Sequence, residues 1–580
     1  MEHTLLKGYL PFLWILLLGG IMYAPVMTFD FVYFDDTKLI HHNLHFLNKP
    51  ANILQFFRHD ILYPTDRSAY YRPMLTVSFM AGALFSNTAI PFPHFLINIL
   101  LHLTASSVLF IFLITMQYKR ALALLFSLIF VAHPILTQTV GWLPGRNDSL
   151  LTIFILLAFI FFIRYVNTAT WKHYTVSMLF YLLALFTKES TLFFLPLAVF
   201  YTYGIARIKN AHARLLRPAS GWLLLTLIWF AARKAALGAS AFPIFKIIKA
   251  MVEHAPAILL YVGKIFFPFN LSAMPTLGNT TLMYGVVAML LVLLFLFFSK
   301  EKRYPFLIFG AAWFFVFLLP SFFTDDPSLT PIFYEHRIYL PLIGLFIILM
   351  EIDFIKNIKP EKHGVAAAIV LLILVFSFLT IRHSQNFKNR LQFWEHAVKT
   401  APTLPRAFSG LGSVYLEKGI YDKAEEMYLK GIALNPDEQV LHGNLGLVYY
   451  YTNRFQEAEQ EFKKELSKNP YNSDTYLNLG VLYFLKLGRF EDARDTWEKA
   501  LTFNPHYLPI HENLAIYYYE IEKDIATAVR HIEEIQRSNG KPQQSLLDIL
   551  DEYSKSKIQS TNNKTNLNMI FSSIKNKVYI

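Results

Sequence analysis

Two carboxylates stand side by side at Asp35 and Asp36, in FVYFDDTKLI. A carboxylate next to a reacting hydroxyl can take its proton as a general base. The same pair could hold Mg²⁺ or Mn²⁺ through oxygen ligands, or cap a turn, where Asp is favoured. Further along lie Tyr70-Tyr71-Arg72-Pro73, then His94, Asn98 and His102, at i, i+4 and i+8 on one helix face. That stripe could line a polar cavity or hydrogen-bond to neighbouring helices. The segment HPILTQTVGWLPGRND carries His133, Gln138, Arg146 and Asp148; Lys188-Glu189 occupy a tight turn; Glu335-His336-Arg337 precede Tyr339. An ionisable side chain within a membrane span costs about 2.5–3.5 kcal/mol on insertion scales, which makes each of these a candidate functional group.

The elements that must position them are membrane helices. Of the 580 residues 54% are hydrophobic and 16% charged, where a soluble domain carries about 25% charged residues. The apolar excess is confined to residues 9–381. The net charge of +12 does not call for nucleic acid, because much of it lies in short loops between apolar runs, where it sets orientation. The chain has no Cys, which excludes disulfides, thiolate nucleophiles and Cys-zinc sites. Tyr9 to Phe29 reads as a retained signal-anchor helix.

Runs long enough to cross lipid fall near 10–29, 93–116, 121–140, 148–166, 174–188, 190–206, 219–238, 281–299, 304–323, 337–353 and 365–381, roughly eleven spans. Residues 73–86 are apolar but short, as for an interfacial or re-entrant helix. The stretch 254–269, interrupted by Lys264 and two prolines, reads as non-spanning. With the N-terminus inside, Lys7, Lys119, Arg120, Arg164, Lys172, Arg207, Lys209, Arg214, Arg217, Lys300, Lys302, Arg303, Lys356, Lys359 and Lys362 fall in inside loops, while the outside turns hold mainly Arg146, Lys188 and Arg337. An odd number of spans places the C-terminal domain outside, with the 30–92 loop.

From about 402 the pattern changes. Gly412, Tyr415, Ala424, Tyr428 and Pro436 recur as Gly446, Tyr449, Ala458, Phe462 and Pro470, and again as Gly480, Tyr483, Ala493, Trp497 and Pro505. A 34-residue step in this order is the tetratricopeptide repeat (TPR) signature. Ala515, Tyr518 and Ala528 mark a degenerate fourth unit that caps the stack. The expected organisation is a membrane domain over 1–385, a linker over 386–401, repeats over 402–537 and a polar, partly disordered tail over 538–580. The repeats either serve as an architectural stack or bind an extended peptide or partner.

Five polar clusters on one side point to an outward-facing cavity, and glycosyl transfer from a polyprenyl-phosphate sugar fits it. In one inverting displacement a carboxylate takes the acceptor's proton while phosphate leaves, its growing charge held by Arg or Lys. In order, FDDTKLI, YYRPMLTVSF, the H-x-x-x-N-x-x-x-H span, HPILTQTVGWLPGRND, FTKES, EHRIYLP and RLQFWEHAV resemble the transmembrane and tetratricopeptide-repeat-containing O-mannosyltransferase family and its bacterial relatives. The resemblance implies an all-α C-type glycosyltransferase (GT-C) membrane domain followed by a TPR solenoid. It also implies a lipid-phosphate sugar donor, possibly mannose, a protein Ser/Thr or glycan acceptor, and catalysis on the periplasmic or luminal side. By the same resemblance Asp35 or Asp36 is the base. Arg72, Arg146, Lys188, His336 and Arg337 face the donor phosphate, and His94, Asn98, His102, His133, Asp148, Glu189 and Glu335 support the cavity. The chain departs from the animal members at Gln138, where they usually show Glu, and at His336, where they place Arg directly after Glu. The lack of Cys and the short repeat array point to a bacterial inner membrane. The rival readings are a membrane-anchored TPR scaffold for envelope-polysaccharide assembly or export, and a lipid or solute transporter.

Overall fold

The computed structural model describes residues 8–64, 68–85, 89–208, 211–238, 244–322, 330–360, 362–538 and 542–559. Lys7, Lys209 and the tail beyond 559 lie outside them. The described residues form helices and loops with no strand, in two compact units, Met1–Thr403 and Leu404–Ile580.

In the first unit each expected span contains helix within the described residues. Among the described residues seven helical segments, including Leu10–Thr28, Pro91–Thr115, Leu143–Thr168 and His363–Phe387, are long and apolar enough to cross a bilayer. An eighth is a bent pair, Arg120–Ala132 and Pro134–Gly141, turned by 53°; Pro134 has no N–H to continue the first helix, and the chain restarts from it. Trp171–Leu185, Met283–Phe298 and Pro341–Leu349 are shorter than expected, at 15, 16 and 9 residues. Pro73–Ala83 spans 11 residues and Ala257–Phe266 only 10, about 15 Å at 1.5 Å per residue, too short to cross. Polar contacts near both ends of Ala257–Phe266 reach the same group of loops, His254 to the Phe322 carbonyl and Lys264 to Glu335.

Among the described residues, hydrogen bonds between loops fall into two sets. One joins Arg120 to Gly8, Arg303 to Glu351, Lys300 to Asp353 and Arg214 to Val166. The other joins Asp30 to Lys388, Met74 to Phe186, Gln138 to Ala273 and Phe333 to Pro275. The first set holds the basic loops and the second the candidate site. Two helices that connect the sets, Tyr304–Leu318 and Pro341–Leu349, touch backbone to backbone. A Cβ on Gly310 would meet the Gly344 carbonyl at 2.7 Å, and one on Gly344 would meet the Gly310 carbonyl at 2.4 Å.

Residues 386–401, expected as a linker, belong to this unit. Arg390–Thr400 is a helix capped by Asn389, it buries Phe393, Trp394 and Ala397, and Thr400 bonds to Ser272 at 2.6 Å. Its aromatic residues pack.

The second unit stacks helix pairs. Pro405–Glu417 pairs with Tyr421–Leu434, Leu441–Tyr451 with Phe455–Lys468, Ser473–Leu482 with Phe490–Leu501, and Leu508–Glu520 with Ile525–Arg537. The small-aromatic code is literal: a Cβ on Gly412, Gly446 or Gly480 would run into the rings of Tyr428, Phe462 or Trp497. Within the stretch expected as a disordered tail, Gln544–Gln559 is helical, and its Leu546 and Ile549 pack against the last pair.

Candidate active site

Asp35 and Asp36 open a short helical turn just after the first span. Successive residues there point in different directions, and the pair divides. Asp36 is 1% exposed, and its carboxylate accepts the amides of Val32, Tyr33 and Phe34 at 2.9, 3.3 and 3.0 Å. Burial pushes its carboxyl above the usual range, and the amides oppose that only in part. Asp35 is exposed. Among the described residues no three His, Asp or Glu converge as a metal site.

The donor-phosphate group of residues also divides. Arg146 is fully buried, and its three nitrogens are committed: Nε to Asn98 Oδ1 at 2.7 Å, Nη1 to the Ser78 carbonyl at 2.9 Å and Nη2 to the His94 carbonyl at 2.7 Å. The guanidinium also lies over Phe79, 4.6 Å from the ring centroid. It fastens three helices together. Burial, with help from Arg337, Lys188 and Arg72, pushes the His336 imidazole down to about 3. Its Nδ1–H and its backbone amide both donate to Gln138 Oε1 at 3.1 Å. The two departures from the animal pattern therefore hold each other.

Lys188, Arg72 and Arg337 remain. Lys188 Nζ is 2.7 Å from Asp148 Oδ1, whose other oxygen lies 3.9 Å from His336 Nε2. Arg72 meets Glu189 at 3.4 Å, and Arg72, Glu189 and Lys188 each keep about a fifth of their side-chain surface exposed. Arg337 donates through Nη1 to the carbonyls of Ser321 and Ile332 and lies over Tyr334.

The supporting residues are mostly structural. His102 Nδ1 pairs with the Tyr339 hydroxyl at 2.7 Å and Nε2 donates to the Val131 carbonyl. Asn98 also donates to the carbonyls of Val140 and Trp142, and His94 packs under Gly82. The polar stripe thus serves helix-helix contacts. His133 Nε2 donates to the Ile265 carbonyl while Nδ1 accepts from Ile135. Glu335 bonds into a buried knot: Lys264 Nζ at 2.6 Å, the Ser272 amide at 2.7 Å and His383 Nε2 at 3.2 Å. Burial alone would raise its carboxyl, but Lys264 and His383 outweigh it and hold it down at about 2.

Trp142, which the sequence presented only as part of a motif, links the two charged ends. Its ring lies 6.2 Å from Phe34, the neighbour of Asp35, and 5.2 Å from His336, the neighbour of Asp148.

Two stretches of the second unit match family models described as Tetratricopeptide repeat, over residues 405–438 and 444–507. Over 457 residues the chain is 27% identical to a Caenorhabditis elegans protein O-mannosyl-transferase, covering 74% of this chain and 63% of that one. A Xenopus laevis protein O-mannosyl-transferase is 29% identical over 26% of this chain and 18% of its own length. A human protein O-mannosyl-transferase is 30% identical over 28% and 24%. The chain is similar to these protein O-mannosyl-transferases and carries tetratricopeptide repeats. It spans less than two thirds of the length of these curated relatives. Among solved structures, MamA is 19% identical with a TM-score of 0.24, over 30% of this chain and 94% of that one. YrrB, titled a TPR protein, is 16% identical with a TM-score of 0.22, over 36% and 98%.

Proposed function

We propose that the chain is a membrane glycosyltransferase that moves a sugar, mannose by analogy with its relatives' names, from a polyprenyl-phosphate donor to a protein Ser/Thr hydroxyl. The observation that carries this reading is the polarity of one end of the membrane unit. Trp142 touches Phe34, the chain neighbour of the exposed Asp35, and His336, which lies 3.9 Å from the Asp148 carboxylate that pairs with Lys188.

In this reading the acceptor oxygen attacks the anomeric carbon as the bond from that carbon to the phosphate oxygen breaks. The acceptor proton passes to the Asp35 carboxylate, and polyprenyl phosphate departs with the bond's electron pair. Lys188 and Arg72 stabilise the charge that develops on it. Phosphate is a stable anion, so no general acid is required. Asp36 shapes the turn that presents Asp35. The GT-C class, the catalytic end facing the periplasm or lumen, and the TPR stack capturing the acceptor complete the proposal. The basic loops gathered in the opposite set favour that orientation.

The deciding experiment supplies membranes containing the protein with polyprenyl-phosphate mannose and a Ser/Thr-rich acceptor. Transfer should fall by about two to four orders of magnitude in Asp35→Asn. Full transfer by that variant would sink the catalytic assignment. A scaffold would instead tolerate Asp35→Asn and lose function when 402–537 is deleted.

A further inference from the structure

Phe34, immediately before Asp35, stands between two tryptophans. Trp142 lies nearly parallel to it at 26°, and Trp394, from the segment once expected to be a linker, meets it edge-on with centroids 5.5 Å apart. Tyr334 stacks on Trp142 as well, at 5.5 Å and 22°. A ring flanked on its faces offers a ligand its edge, and the edge of an indole carries its one donor.

Both donors are unmatched. Trp142 and Trp394 are each 4% exposed, and the Nε1 atom of each is buried without a hydrogen-bond partner. A buried donor in that state costs about 1–3 kcal/mol. Two other buried tryptophans are matched: Trp313 donates to the Leu340 carbonyl at 2.9 Å and Trp497 to the Leu477 carbonyl at 3.1 Å. Trp222 and Trp229 share the unmatched state, but on a membrane span, packed against rings such as Phe162 and Phe230. Only Trp142 and Trp394 meet the residue that precedes Asp35.

We infer that Trp142 and Trp394 form the subsite for the transferred sugar. Their indole N–H groups donate to hydroxyl oxygens of a hexopyranose, and Phe34 supplies an apolar surface for its C–H face. The inference rests on the donor reading above. Because Trp142 touches Phe34 and His336, a sugar held there lies near the turn that carries Asp35 and near the His336–Asp148 contact.

The test uses the full chain in nanodiscs with Asp35→Asn to prevent turnover. Binding of decaprenyl phosphate, decaprenyl-phosphate mannose and decaprenyl-phosphate glucose is measured. At least one sugar-bearing lipid should bind about tenfold more tightly than decaprenyl phosphate. Trp142→Phe and Trp394→Phe keep a ring but remove the donor; each should reduce that gain roughly fivefold and leave decaprenyl phosphate binding unchanged. Trp313→Phe, which removes a matched donor, should leave the gain intact. Equal binding of all three lipids, or a gain untouched in both variants as expected if only ordered water occupies the donors, overturns the subsite alone. No binding of decaprenyl phosphate at all overturns the donor reading and the subsite with it.

Discussion

Asp35 and Asp36 are covalent neighbours in opposite circumstances, the first exposed and the second turned back onto the amide of Val32 at 2.9 Å. Asp35→Asn is expected to abolish transfer and leave the melting temperature unchanged. Asp36→Asn places an amide N–H among backbone N–H groups, and should lower stability by about 1–3 kcal/mol and transfer with it. Paired melting and activity measurements separate the two; a stable, inactive Asp36→Asn would reverse the roles.

Arg146 is expected to matter for folding, since Asn98, Ser78 and His94 take all three of its nitrogens. Lysine offers one nitrogen in their place, so Arg146→Lys should destabilise the protein by roughly 3 kcal/mol. The KM for polyprenyl-phosphate mannose in the folded fraction should stay unchanged. A raised KM at full stability would return Arg146 to the phosphate.

Lys188→Met removes the cation that Asp148 holds at 2.7 Å. We expect kcat/KM for the lipid donor to fall by about ten- to a hundredfold, with Lys188→Arg recovering part of it. Steady-state kinetics against donor concentration read this directly, and an unchanged value would remove Lys188 from the site.

How far the sequence foretells these arrangements depends on what each residue contacts. The repeats were legible because Gly412 and Tyr428 recognise each other through side chains at fixed spacing. The helical segments were legible from apolar runs. The packing of Arg146 was not legible because two of its three partners are main-chain carbonyls, which leave no mark on residue type. Lys264 read as an interruption of an apolar stretch because its partner, Glu335, lies 71 residues away. Trp394 was hidden differently: a short helix with polar and aromatic faces carries the composition of a connector until its neighbours are known.

The Lys264–Glu335 pair, both side chains at most 1% exposed, should behave asymmetrically. Lys264→Met or Glu335→Gln alone leaves a buried charge uncompensated, an effect of about 3–5 kcal/mol. The double variant should recover most of the loss, and a double-mutant cycle in thermal unfolding measures the coupling. Strict additivity would show that the two act independently.

In the repeat unit, burial, with smaller contributions from His511 and Arg530, pushes the His531 imidazole down to about 4. The unfolded chain takes up that proton near 6.5, so the stability tied to neutral His531 is complete above 6.5 and is lost as pH falls toward 4. Hydrogen exchange over Ile525–Arg537 should accelerate between pH 7 and pH 5, after correction for intrinsic rates. His531→Leu should flatten that response, and an unaltered response would place its source elsewhere.

The contact between Gly310 and Gly344 has a bearing on how variation in this chain is read. Neither position has room for a methyl group, because each would collide with the carbonyl of the other. A mutational scan scored by survival alone would rank these two glycines beside Asp35, although neither offers a side chain to any substrate. Scoring abundance and transfer separately would pull the two classes apart, with the glycines lost from the first measure and the carboxylate from the second.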